Sequence, residues 1–399
     1  MINRQLYILL VILICSTVFV QCKNNKNYNK SFEKIFNSYK DSYGQFNSVT
    51  SSSLWKTDDF KISISKNPIT FNTIHLVIEN PYYSDKFYDF FNNYKNYPVS
   101  YSVIYERTLI SLFRNGKFIC YNLVNLQRDS DFEEKLNTEK IEYHWIIDNK
   151  LGGLSGDNIY IWKNNNWEKT EMKFPLIEQP KFFEDTNYVV FGVQPKLFED
   201  SSFIVFSDCH GEWGGTVYFF DKVSGDTYFT ESTCANTVYK KDNKYVVLSH
   251  LGHGMGSAKV KEIKDPRKLS KAKKDEINKT KEGQALGYTD KSNAYKKALD
   301  FYWIQLFSTF QYEGRQLYIV HSNNLTFIAE INGCDIQIVH PLFDNDIYTH
   351  NPVTTKYENY TLINLDFYGT ALDKEVSLII IDKDRNRIIK LDWNENHCR

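Results

Sequence analysis

Catalytic signatures are the first thing this sequence lacks. It contains no CxxC pair, no GxSxG elbow, no HExxH helix and no Cys/His nucleophile pair. The zinc, thiol and serine chemistries that depend on those spacings are therefore set aside. Gly252-His253-Gly254-Met255-Gly256-Ser257 is rich in glycine but has no Lys-Ser/Thr pair at phosphate-loop spacing. It follows strand-like sequence and precedes a charged segment, so it reads as a β connection rather than a phosphate cradle. Adjacent carboxylates such as Glu133-Glu134 lie among charged neighbours, with no apolar setting to split their pKa values. An excess of charge of one sign is also missing, with 48 basic against 49 acidic residues. No nucleic-acid partner is expected of such a chain.

One long apolar run is present, at the start. Met1 to Arg4 is a short basic stretch, Leu6 to Val20 is apolar except for Cys15, Ser16 and Thr17, and Lys23 to Asn27 ends the run sharply. About 20 apolar residues are needed to cross a bilayer, so residues 1–21 read as an export signal rather than a permanent span. Phe19-Val20-Gln21-Cys22 and the polar tether after it resemble the lipobox of bacterial lipoproteins, although Gln21 and Phe19 depart from its usual small residue and Leu. The resemblance implies a diacylated Cys22, a membrane partner through that lipid, and a place in the cell envelope.

Past Cys22 the expected organisation is a tether over 22–30 and one β-rich domain over 31–399. Aromatic residues make up 16% of the chain, enough for a sizeable core. Helical spacing shows at Phe32, Ile35, Phe36, Tyr39 and Tyr43 and again at Phe87, Phe90, Phe91 and Tyr94. Most of the remainder alternates Tyr, Phe, Ile and Val around turn residues. Hairpins are expected at Asn115-Gly116, Asn164 to Asn166, Ser224 to Asp226, Asn323-Asn324 and Asp384 to Asn386. Their spacing resembles a β-propeller in rhythm, with no WD or kelch signature; irregular β-sandwich-type domains are the alternative.

Two internal echoes point to duplication. Pro180 to Asp185 returns as Pro195 to Asp200, each read as a polar turn leading into an apolar strand. Ile204 to Ser207 with Asp208-Cys209-His210-Gly211 is echoed by Val246 to Ser249 with His250-Leu251-Gly252-His253-Gly254, and the two Ser lie 42 residues apart. That distance fits one small blade. Residues 259–299 carry 13 Lys/Arg against 6 Asp/Glu, whereas the rest of the mature chain carries 34 against 43. This basic stretch reads as a protruding helical insertion over about 259–306. Its amphipathic stripe runs through Ala294, Tyr295, Ala298, Leu299, Tyr302 and Leu306.

The echoed loops give the candidate site. Asp208, His210, Glu212, Trp213, His250 and His253 are expected on one face. If the imidazoles and Glu212 converge, they suit zinc or a similar divalent metal. Trp213, in a glycine-rich turn, is the aromatic residue best placed to stack on a ligand. Cys209 and Cys234 flank one hairpin and either pair in an oxidising compartment or stay as buried thiols, with thiols the default. An envelope-anchored module binding a glycan or protein is the expected function, with an exported metal-assisted hydrolase as the alternative. Fatty-acid labelling tests the anchor: label enters the wild-type chain and is lost in Cys22→Ala, and unchanged labelling removes the lipoprotein reading.

Overall fold

A computed structural model describes residues 55–56, 60–78, 100–113, 116–156, 158–171, 195–252, 256–272, 290–322, 325–343, 347, 349, 351–365 and 377–393. Cys22 and the two helical stripes in the first hundred residues lie outside this set, as does the first copy of the Pro180 echo.

The described residues form six sheets that follow one another along the chain. Blade 1 comprises Val103–Tyr105, Thr108–Phe113, Lys117–Asn122 and Gln127–Arg128, and blade 2 Tyr143–Ile147, Lys150–Ser155, Asn158–Lys163 and Asn166–Thr170. Blade 3 comprises Lys196–Glu199, Phe203–Cys209, Gly215–Asp221 and Thr227–Glu231, and blade 4 Ala235–Lys241, Lys244–Leu251, Ser257–Ile263 and Tyr295–Tyr302. Blade 5 is built from Gln305–Tyr312, Arg315–Ser322, Leu325–Asn332 and Asp335–Phe343, and blade 6 from Val353–Lys356, Tyr360–Asn364, Leu378–Asp382 and Arg387–Asp392. Within each blade the four strands pair antiparallel in sequence order. The first strands converge, those of blades 3 and 4 both touching that of blade 6. This is a six-bladed β-propeller.

Burial shows why the blades form a ring. Successive blades share cores: blades 1 and 2 around Phe118 and Trp167, blades 2 to 4 around Trp145, Phe219 and Val247, and blades 4 and 5 around Leu248 and Phe327. Blades 5 and 6 meet around Phe310 and Ile381, and blades 6 and 1 around Ile380, Phe113 and Trp393. Strands buried on both faces read as continuous apolar runs, as Leu378–Asp382 does. Four inner hairpins turn on residue pairs with positive φ: Glu106-Arg107, Asp148-Asn149, Asp242-Asn243 and Glu313-Gly314. Two successive residues of that kind match the right-handed strand twist in a two-residue turn.

The ring is also stitched by polar side chains. Asn364 Nδ2 donates to Ser102 O at 3.1 Å, and Ser102 N donates to Asn364 Oδ1 at 2.9 Å, across the seam between blades 6 and 1. His144 Nε2 donates to Ile110 O at 3.1 Å between blades 2 and 1. Burial lowers this imidazole from its ordinary value to about 4, so the neutral ring makes the bond. The Lys196 ammonium donates to Ile146 O, Ser207 Oγ to Ala235 O at 3.1 Å, Asn236 Nδ2 to Leu306 O at 2.8 Å, and Thr354 Oγ1 to Ser308 Oγ at 2.8 Å. All six seams are bridged in this way.

Segments outside the blades cover their edges. Lys61–Ile64 pairs parallel with the last strand of blade 5, and Asn72–Val77 pairs parallel with the last strand of blade 6. The basic stretch departs from the sequence expectation. Residues 257–263 and 295–302 are the two outer strands of blade 4, not helix. A bulge at Val260/Lys261 opposite Leu299/Lys297 interrupts the two-residue alternation, which left the helical spacing of Ala294, Ala298 and Tyr302 as the visible pattern. Between them, Ser270–Lys271 adds to the edge of blade 3 and Arg267 pairs with Asp221 at 2.6 Å, so this part is docked rather than protruding. Lys196–Glu199, expected as a turn, is the inner strand of blade 3.

Arg387 is a further closure residue at the seam between blades 6 and 1. It pairs with the fully buried Asp382 at 2.7 Å and donates to Leu123 O of blade 1. Arg385 Nη1 also lies 3.4 Å from Asp382 Oδ2, so removing Arg387 leaves the buried carboxylate with that longer contact as its cationic partner. Arg387→Met is therefore expected to lower unfolding free energy by about 2 kcal/mol, read as a lower urea midpoint.

Candidate functional site

Strand direction sorts the loops onto two faces. Inner strands start on what we term the entry face, which also carries the second-to-third strand loops and the links between blades. The exit face carries the first-to-second and third-to-fourth turns. Phe203–Cys209 and Lys244–Leu251 are the second strands of neighbouring blades, so the 42-residue echo marks equivalent positions. His210 to Gly214 after the first, and Gly252 and Gly256 after the second, lie on the entry face.

The blade 3 loop is built closely. Asp208 Oδ1 accepts from Thr216 N at 2.6 Å, and its Oδ2 accepts from Tyr218 OH at 2.8 Å. His210 is half-buried, with Nε2 3.8 Å from Asp208 Oδ1. Residues Gly211–Trp213 form one 3-10 turn, closed by the bond from Trp213 N to His210 O at 3.2 Å. A Cβ on Gly215 would stand 2.8 Å from both Asp208 O and Ser232 O, so only glycine lets the returning strand pass. Glu212 is exposed, and Trp213 is 61% exposed.

Cys209 and Cys234 form a disulfide. This corrects the free-thiol default; Cys120 and Cys334 are the free thiols among the described residues. The bond ties the start of the Trp213 loop to the link leading into blade 4. It is the alternative that the flanking of one hairpin by these two residues had offered.

His250 does not join His210 in an open site. It is buried, its Nδ1 accepts from Asn236 Nδ2 at 2.9 Å, and Nε2 lies 3.4 Å from Thr349 O, to which it donates. Phe307 meets its ring edge-on at 5.4 Å. The lone pair a metal would use is thus engaged. His253 lies outside the described residues. Among the described residues, no group of three or more His, Cys, Asp or Glu is placed to hold a metal ion.

Other exposed aromatics share the entry face. The link from blade 4 to blade 5 carries Tyr302 and Trp303, 56% and 48% exposed. Trp303 is held at φ 72° and its N donates to Gly256 O of the blade 4 loop at 3.0 Å. Among the described residues, the remaining exposed large apolar side chains, Val124 and Val223, lie on the exit face. Isolated exposed apolar groups are ordinary. A one-sided distribution of the exposed large aromatics gives this face flat rings for stacking beside the polar His210 and Glu212.

Comparison with known proteins identifies no family. No family model and no curated protein matches this chain. Solved structures with partial likeness include BamB from Moraxella catarrhalis, with 9% identity, TM-score 0.32 and 66% of each chain covered. The Cps50 (Swd1) β-propeller domain of Myceliophteria thermophila gives 10% identity and TM-score 0.34, covering 71% of this chain and 82% of that one. The computationally designed Ika8 protein gives 12% identity and TM-score 0.27, covering 70% and 69%. The six-bladed assignment above stands on sheet order and shared cores.

Cross-linking Cys209 to Cys234 closes a loop of 25 residues, which restricts the unfolded chain by about 3 kcal/mol in the chain-entropy account. The Cys209→Ser, Cys234→Ser double variant should lose about that much in urea unfolding. Protection of amides in 210–214 from hydrogen exchange should fall with it.

Proposed function

We propose that this chain is a lipid-anchored binding module of the bacterial envelope, engaging a glycan or protein through the entry face of its propeller. The observation that carries the reading is the placing of Trp213, Tyr302 and Trp303, all substantially exposed, on that one face. Aromatic side chains supply large contact area with few rotatable bonds and one polar edge, which suits both sugar stacking and protein interfaces. The disulfide and the Gly215 crossing hold the Trp213 turn in place, which lowers the ordering cost of association. The export signal and Cys22 in the sequence support the envelope location. The hydrolase alternative gains no support, since the His250 lone pair is already engaged.

The two faces supply an internal control. A photo-crosslinking residue at 213 or 303 should capture an envelope glycan or protein in intact cells, whereas one at 223, on the opposite face, should not. Trp213→Ala should change stability by no more than about 0.5 kcal/mol, as exposed positions do, while weakening that capture. Equal capture from both faces, or capture from 223 alone, would overturn the proposal.

A further inference from the structure

The exit face holds a second feature, independent of the binding reading above. A cavity of about 480 Å³ opens where the inner strands of blades 2, 3 and 6 end. That volume falls within the usual range for small-molecule sites.

Its charged lining is unevenly matched. Asp148 pairs with Lys222 at 2.7 Å, Glu199 with Lys196 and Lys222 at 2.6 Å each, and Asp200 with Lys240 at 2.9 Å and Tyr245 OH at 2.7 Å. Glu358 is exposed at the rim, and its backbone oxygen accepts from Lys383 Nζ at 2.6 Å. Lys356 differs. Its Nζ sits 4.2 Å from the centre of the Tyr239 ring, and among the described residues no carboxylate pairs with it. Burial, then the neighbouring Lys383, lowers its pKa to about 7. The ring gives an ammonium one favourable face, worth about 1 kcal/mol, but no counter-charge.

We propose that this cavity binds a small organic monocarboxylate, with the Lys356 ammonium as its counter-ion and the Thr355 and Ser201 hydroxyls as further donors. Both hydroxyl residues line the cavity. A single negative charge fits because Lys383 is already met by the Asp384 and Glu358 charges, which leaves Lys356 as the cation to be matched. A phosphate dianion calls for forked or multiple cationic donors, and the rim carboxylates of Asp148, Glu199 and Glu358 oppose the second charge. Binding stabilises the protonated amine, so it takes up a proton at pH values above about 7 and weakens as pH rises.

Glucuronate and acetate are the probes, titrated into the wild-type chain by calorimetry at constant ionic strength. With the free amine at about 7, the dissociation constant should rise about tenfold from pH 6 to pH 8. Lys356→Met should abolish binding and keep the far-ultraviolet spectrum of the wild type. Should that variant fail to fold, lysine-selective carbon NMR of the wild type decides: the Lys356 signal should titrate near 7 in chloride and about one unit or more higher in saturating glucuronate. The proposal is overturned if neither probe binds, if affinity is independent of pH, if Lys356→Met binds equally well, if the Lys356 titration is unmoved, or if inorganic phosphate binds in preference.

Discussion

Closure of the ring is the constraint on which the rest of the structure depends. A blade is apolar on both faces, so opening any one seam exposes two such faces to water. Each seam here has an apolar core and a side-chain hydrogen bond across it. The seam between blades 6 and 1 carries the greatest demand, because sequence-distant ends of the ring meet there. Among the described residues, no strand is exchanged between those blades. They are joined instead by the Phe113–Trp393 edge contact at 5.1 Å, the reciprocal Asn364–Ser102 bonds, and Arg387 reaching from Asp382 to Leu123 O. The early strands Lys61–Ile64 and Asn72–Val77 pair with outer edges that would otherwise present unpaired backbone, and Leu76 of the second also packs against the core shared by blades 6 and 1.

A closed ring fixes two faces that differ in chemistry. The entry face holds exposed rings on short, constrained connections: one turn held by a disulfide, one link held to the Gly256 carbonyl. The exit face holds ion pairs around an opening in which one amine has no counter-charge among the described residues. Rigid strands supporting short loops are the usual setting for binding residues. Ligands at the two faces would be separated by the length of the inner strands.

Much of the architecture was legible. The echo between Ile204–Ser207 and Val246–Ser249 fell on equivalent strands of adjacent blades, because apolar strands ending at similar loops recur once per blade. Asn164 and Asn165 advertised their turn, whereas Glu106-Arg107 and Glu313-Gly314 take the same geometry with less telling residues. The strand at Tyr295–Tyr302 was hidden by a bulge that mimicked helical spacing. At the site, the exposure of Trp213 agreed with its glycine-rich setting. The burial of His250 could not be foreseen, since its partner Thr349 is 99 residues away. Lys356 gave no local signal at all: what distinguishes it is the lack of a nearby carboxylate among the described residues, a property of three blades together.

Native-state hydrogen exchange tests the ring-closure account most directly. If the blade 6–blade 1 seam is an integral part of one cooperative ring, amides in Thr108–Phe113 and Leu378–Asp382 should exchange only through global unfolding, with the same free energy as those in Val217 to Phe219 of blade 3. Exchange of blade 1 or blade 6 through a separate, lower-energy opening, while blades 3 and 4 stay protected, would contradict it.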